Sequence, residues 1–304
     1  MIKQEPSSFY LEPLRVTPVR ADVRRVMYKS TDTQGQPMAV TGTVMMPDVP
    51  WRGREVTRPW TTSERPLVVF SPGTRGNGDQ CAPSRRLATG EDYEGAILKG
   101  LLAAGYAVAI PDFEGVGTAP KATYMARVAT GNAVLDIARA AQRSGLPGLA
   151  ADGPVMLAGY SQGGEASAAG AELAATYAPE LKMRGAYAGA VPADLTEVAR
   201  SLDGSAYNAF LLSAVSGLGT AYDIDLTAYA NAEGMAALEA NDTLCTFNQI
   251  PRFAFVDSSR YTNSGEKLST LITIRCCSVS PTSRSSAVSL RRSPCWWPRA
   301  SWTT

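Results

Sequence analysis

A chain of 304 residues with 45% apolar and 19% charged residues can bury a sizeable core, as one large α/β domain with an insertion or as two small domains. Its net charge of +1 gives no electrostatic case for nucleic acid or an anionic membrane surface, and no run approaches the roughly 18 apolar residues of a spanning helix. The most excluding count is zero: the chain has no histidine.

Met1-Ile2-Lys3-Gln4-Glu5 lacks the basic start and apolar stretch of a signal peptide, which leaves a cytosolic protein or a start that has been trimmed or mis-assigned. Residues 1–24 read as an irregular arm. Arg24 to Ser30 and Ala39 to Met46 alternate apolar and polar residues around a turn at Asp32-Thr33-Gln34-Gly35-Gln36, which predicts antiparallel strands. Residues 47–65, rich in Pro, Arg, Trp and Thr, read as a surface loop. Pro66 to Phe70 is a continuous apolar run, as in a strand buried on both faces of a parallel sheet. Tyr106 to Ile110 and Pro154 to Ala158 resemble it, and Arg184 to Ala190 is a weaker fourth. Helical spacing marks Glu91 to Ala104, Met125 to Gln142 and the Ala-rich Gly163 to Tyr177. Strands alternating with helices predict a mostly parallel sheet with helices on both faces.

Gly159-Tyr160-Ser161-Gln162-Gly163 has the Gly-x-Ser-x-Gly pattern, placed between the strand Val155–Ala158 and a helix. That setting is a nucleophile elbow, in which a strained turn exposes the Ser161 hydroxyl at the positive end of the following helix. Glycines at 159 and 163 let strand and helix approach. The alternative is a Gly/Ser loop that merely turns the chain, which the flanking strand and helix disfavour. The loop Ser71 to Ser84 follows the first buried strand, where such folds place the second oxyanion donor. It lacks the Lys-Ser/Thr ending of a phosphate-binding loop, and a plain flexible surface loop is its other reading. Asp112 and Glu114 follow a sheet strand; as catalytic acids they would face the serine, but before glycine turns they more often hold the loop.

Residues 71–84, Asp112-Phe113-Glu114-Gly115-Val116-Gly117-Thr118 and Gly159 to Gly164, together with Tyr187 to Leu195, resemble the secretory lipases, relatives of yeast lipase A with many actinobacterial members. The resemblance runs from about residue 24 to 270. It implies an α/β-hydrolase, triacylglycerol lipase or carboxylesterase activity on a lipid ester, and export to the cell envelope or exterior. Matched to that family, Ser161 is the nucleophile, and Thr74 and Gln162 supply oxyanion contacts. Cys81 pairs with Cys245 to anchor the lid, the other reading being two buried free thiols of a cytosolic chain. The expected division is an arm over 1–24, a hydrolase core over 25–190, an inserted helical lid over 191–262 able to touch a lipid interface, and an incomplete core end over 263–304, its last strands and helix missing or disrupted. No cofactor is implied. Cys276 and Cys277 are adjacent, without the spaced second pair of a metal site.

From about residue 273 the composition changes, and three of the five tryptophans and three of the five cysteines fall there. A basic, aromatic tail for membrane or nucleic acid is one reading. A frameshift is the favoured one. Joining the third base of each codon to the first two of the next turns Cys295-Trp296 into leucine, Trp296-Trp297 into valine and Trp297-Pro298 into alanine. The same shift turns Trp302-Thr303 into aspartate. The hidden text is a short buried strand followed by an acid, where this family carries its triad aspartate. The triad acid and histidine are therefore expected to be lacking, and neither Lys182 nor Lys267 has a Ser-x-x-Lys relation to Ser161. An inactive hydrolase-fold lipid- or partner-binding protein and an acyltransferase are the competing readings; a peptidase is disfavoured.

Overall fold

The computed structural model describes residues 1–51 and 64–271. Seven strands form one sheet among these residues: β1 (Lys3–Pro6), β2 (Ala21–Thr31), β3 (Pro37–Pro47), β4 (Leu67–Ser71), β5 (Ala107–Pro111), β6 (Pro154–Tyr160) and β7 (Lys182–Gly189). Their order is β1-β2-β3-β5-β4-β6-β7. The first three are antiparallel and β4 to β7 are parallel. The arm differs from its irregular reading: Lys3 to Pro6 pair with Arg24 to Met27 of β2, and Phe9 is fully buried. Four residues with no apolar alternation carry no strand signal of their own; the edge of β2 supplies the order.

Helices cover both faces. On one side, α3 (Arg127–Gln142) and α4 (Gln162–Tyr177) pack on Val44, Leu67, Val69, Ala107, Ala109, Val155 and Leu157. On the other, α1 (Pro83–Thr89) and α2 (Gly95–Ala103) bury Met45, Phe70, Val108 and Ile110. Consecutive residues of β3, β4 and β5 thus enter opposite cores, which is why β4 and β5 are apolar without interruption. The helix expected over 91–104 begins at Gly95, and α1, unforeseen, starts at Pro83, a residue suited to the first helical turn. The two-faced burial expected of β6 holds on one side only. Leu157 is buried under α4, whereas Met156 is 37% exposed, because the α1/α2 layer reaches no further than Ala158.

After β7 come α5 (Leu195–Leu202), α6 (Asn208–Ala221), α7 (Ala232–Asp242) and α8 (Thr246–Phe253). They enclose a second apolar cluster that includes Leu211, Leu212, Leu238, Phe253, Tyr261 and Leu268. Asp194 caps α5 by accepting from the Thr196 and Glu197 amides, and Asn231 caps α7 through the Gly234 amide. No helix among the described residues is long and apolar enough to cross a membrane. The composition change after residue 273 and most of the loop expected over 47–65 lie outside the described residues.

β6 offers a check on this layering. Leu157→Ala removes a fully buried side chain and is expected to cost about 2–5 kcal/mol. Met156→Ala, one residue away, should stay within about 1 kcal/mol. Urea unfolding of both variants measures the difference, and equal costs would contradict the one-sided burial of β6.

Candidate active site

β6 ends at Tyr160 and α4 begins at Gln162, so the whole reversal falls on Ser161. Ser161 has φ 58° and ψ −120°, a backbone state that costs a non-glycine residue on the order of 1–3 kcal/mol. It is held from both sides. The Ser161 amide donates to the Gly189 carbonyl at the end of β7 (3.0 Å), and the Ser161 carbonyl accepts from the Glu165 amide in α4 (3.0 Å). A Cβ on Gly163 would stand 1.9 Å from the Ser71 carbonyl oxygen, and one on Gly159 would stand 2.2 Å from that of Gly163. No side chain fits at either position, so α4 starts in direct backbone contact with β4 and β6.

Ser161 and Gln162 open onto a cavity of about 400 Å³. Its other walls are almost wholly apolar: Tyr124 and Met125 from the loop before α3, Val191 and Pro192 after β7, and Leu195, Val198, Leu202, Phe210, Leu211 and Leu218 from α5 and α6. That size and lining suit a small apolar ligand with one polar end. The Gln162 amide is the first of α4 and has no partner within the helix, so the positive end of α4 meets the cavity beside Ser161. Tyr160, within the motif, points elsewhere and is 57% exposed.

The loop after β4 is fixed by polar contacts that sequence reasoning missed. Thr74 Oγ1 lies 2.7 Å from the Tyr124 hydroxyl. The Thr74 carbonyl accepts from Tyr93 Oη (3.0 Å) and Thr246 Oγ1 (2.9 Å). Arg75 is buried, donates twice to Asp92 (2.8 and 3.0 Å) and once to Glu94 (2.7 Å), and also donates to the Gly73 carbonyl. Glu94 in turn accepts from the Gly73 amide (3.1 Å). Burial opposes the charge on Arg75, but Asp92, Tyr93 and Glu94 outweigh it and hold its pKa above the ordinary value. Burial pushes Tyr93 up to about 12 despite Arg75, whose guanidinium stacks 3.9 Å from the ring centre. Cys81 and Cys245 form a disulfide with Cα atoms 5.4 Å apart. Beside it the Thr246 amide donates to the Arg75 carbonyl (2.9 Å), joining the helical unit to this loop.

Asp112 accepts from the Ser84 amide and hydroxyl (2.7 and 2.5 Å) and from Thr41 (2.7 Å). Burial raises its pKa against those donors. Glu114 is raised in the same way and accepts from Thr123 (2.5 Å). Both carboxylates are spent on holding loops. A third one, Glu165, lies fully inside the first turn of α4 and accepts only from Thr130 Oγ1 among its hydrogen bonds (3.1 and 3.2 Å). Burial pushes it up to about 7, with Thr130 and Arg127 pulling it back. The sole sequence signal for it was a charged residue inside an otherwise small, apolar helix start.

The folded protein binds the Glu165 proton more tightly than the unfolded chain, so stability is expected to fall as pH rises from about 4.5 to 7 and to level off above that. Glu165→Gln should remove this component, on the order of 3 kcal/mol at pH 8. Melting temperatures of both proteins between pH 4 and 8 test it; parallel curves would refute it. Gly163→Ala is expected to yield no folded protein, or one destabilised by several kcal/mol, since the clash is with backbone. Circular dichroism melting of that variant decides.

Residues 83–279, more than half of the chain, match the family model of the secretory lipases. Lipase 4 of Candida albicans is 32% identical over 208 residues, covering 65% of this chain and 42% of that protein. A Mycobacterium tuberculosis protein named probable inactive lipase is 30% identical over 240 residues, covering 76% and 51%. The chain spans about half the length of these curated relatives. The X-ray structure of Candida antarctica lipase A in its closed state superposes with a TM-score of 0.70 at 27% identity, over 86% of this chain and 59% of that one. The rice cell wall degrading esterase LipA of Xanthomonas oryzae, at 19% identity and a TM-score of 0.63, shares the fold. The chain belongs to the secretory lipase family and has the α/β-hydrolase fold.

Proposed function

We propose that this chain carries the serine half of an ester-hydrolase site for lipid esters, and that the 304-residue polypeptide does not turn over. The carrying observation is Ser161, held in a strained strand-to-helix turn at the floor of an apolar cavity. Given a base to take the hydroxyl proton, Ser161 Oγ would attack the ester carbonyl while the acyl chain lies along the α5 and α6 walls. The developing oxyanion meets the amides of Gln162 and Thr74, the latter steadied by Tyr124, Tyr93 and Thr246. Collapse would expel the alcohol with the proton returned from that base, and water giving up a proton to the same base would then cleave the acyl-enzyme. The first step needs an acceptor for the serine proton, and the chain has no histidine. Loss of the base lowers turnover by roughly five to six orders of magnitude in the subtilisin comparison. The Cys81–Cys245 disulfide and the family support an extracellular or cell-envelope setting. The helices of 191–262 serve as the lid and touch the lipid interface. Residues 273–304 are read as a frameshifted end.

A second reading, a lipid-binding protein without catalysis, is favoured by the cavity, whose lining does not depend on a base. Hydrolysis of nitrophenyl butyrate is expected to be indistinguishable between the chain and Ser161→Ala. Activity lost on that substitution would overturn the inactive reading. A fluorescent fatty acid should bind both proteins and lose about tenfold in affinity with Ala214→Trp, which fills the cavity. Sequencing the gene around codons 270–275 tests the frameshift: no base gained or lost against related genes would sink it.

A further inference from the structure

Glu165 is a buried carboxyl that the proposed chemistry does not use, and it stands close under the cavity. It follows Ser161 on α4 by four residues, about 6 Å along the axis, and helix side chains lean back toward the N-terminus. Its carboxylate accepts from Thr130 Oγ1 of α3 (3.1 and 3.2 Å). The charged and titratable groups around it are Arg127 of α3, Tyr124 of the loop before α3 and Tyr222 at the end of α6. Arg127 is also paired with Glu172 of α4. Burial raises the pKa of both phenols, and a negative charge on Glu165 raises them further. Tyr124 is itself a wall of the cavity, so that charge is felt in the space beside Ser161. Glu165, Ala126, Ala129 and Ala221 are all buried, which leaves little water to screen it.

We propose that the cavity takes a long-chain carboxylate, the acid product of the ester cleavage described above, and that Glu165 couples this binding to a proton: the neutral acid permits the ligand and the ionised form expels it. The inference rests on the cavity being a lipid site. Its apolar walls fit the chain, and the amides at the start of α4 beside Ser161 meet the anionic head. The head then lies about 8 Å from the Glu165 carboxyl. At that distance, with an effective dielectric constant of roughly 20 to 40, two negative charges change affinity about five- to thirtyfold.

Glu165 ionises in a useful range, since burial pushes it up to about 7 while Thr130 and Arg127 pull it back. The chain has no histidine, so no imidazole competes as the group that titrates near neutrality. Below about pH 6 Glu165 is neutral and the head meets the amides unopposed. Above about pH 7 the ionised carboxylate opposes the head, and each bound anion draws a proton back onto Glu165. A neutral ester carries no charge for Glu165 to repel. Its entry is therefore indifferent to pH, whereas departure of the acid is favoured as pH rises.

Decanesulfonate, anionic throughout, and decanol, neutral throughout, separate head from chain. With free thiols alkylated, calorimetry should show the decanesulfonate dissociation constant rising about tenfold from pH 6 to 9 and the decanol constant unchanged. At pH 7.5 the sulfonate should take up about half a proton on binding, read from the heats in buffers of different ionisation enthalpy. Glu165→Gln mimics the neutral acid and should bind decanesulfonate as tightly at pH 9 as at pH 6, with no proton uptake. A merely structural role would weaken binding instead. Thr130→Val removes the hydroxyl that steadies the carboxylate and should move the midpoint of the pH profile upward. Decanol binding alone, sulfonate binding without pH dependence, or a dependence that survives Glu165→Gln would overturn the coupling and leave the cavity a lipid site. Binding of neither probe would overturn the lipid reading and the coupling with it.

Discussion

The approach of α4 to the sheet governs the rest of the structure. Gly163 stands where any Cβ would lie 1.9 Å from the Ser71 carbonyl, and Gly159 where one would meet Gly163 itself. Because neither position tolerates a side chain, β6 can pass directly into α4, and the reversal is concentrated in one residue. Ser161 takes the strained conformation because the packing on both sides leaves it no other. Ala166 and Ala169 on the inner face of α4 are fully buried, so the packing that holds the helix on the sheet and on α3 also sustains the strain in the turn.

A second constraint follows from the first. With α4 pressed on β4, the chain leaving Ser71 must turn over the helix start, and its polar backbone has to be satisfied there. Arg75 with Asp92 and Glu94 does this from below. Tyr124, Tyr93 and Thr246 do it at Thr74. A buried ion pair of this kind contributes little net stability, but removing one partner leaves a charge stranded. Its effect here is to hold a loop in one geometry. The disulfide at Cys81 and the hydrogen bond at Thr246 extend the same fixation to the helical unit, so the cavity's α5 and α6 walls and its Ser161 floor belong to one connected frame.

Much of this was legible in the residues because single-residue rules apply to it. Uninterrupted apolar runs marked β4 and β5, which are buried on two faces, and Gly-x-Ser-x-Gly between a strand and a helix marked the turn. What escaped depends on distant partners. β1 is ordered by its pairing with β2 and by Gln4 reaching the Ser144 carbonyl, and α1 begins at a proline within what reads as loop. The Arg75 network joins a glycine-rich loop to carboxylates 17 and 19 positions later. Tyr124 meets Thr74 across 50 positions. Met156 reads as core but is exposed, because whether a sheet face is covered depends on which helix lies over it.

The turn at Ser161 and the titratable groups around it answer to different forces. Ser161 is shaped by backbone packing between β4, β6, β7 and α4, all of which must form for the sheet to exist. No histidine takes part in that packing, and the turn and the cavity are formed without one. Glu165 shows the same independence: a carboxyl buried one turn from Ser161, its pKa pushed up to about 7, is bound to Thr130 and not to Ser161. A titratable side chain near a nucleophile is therefore not a base unless it faces the proton. For the chemistry proposed at Ser161, the turn fixes where attack would start, and only a group aimed at Oγ would make it run.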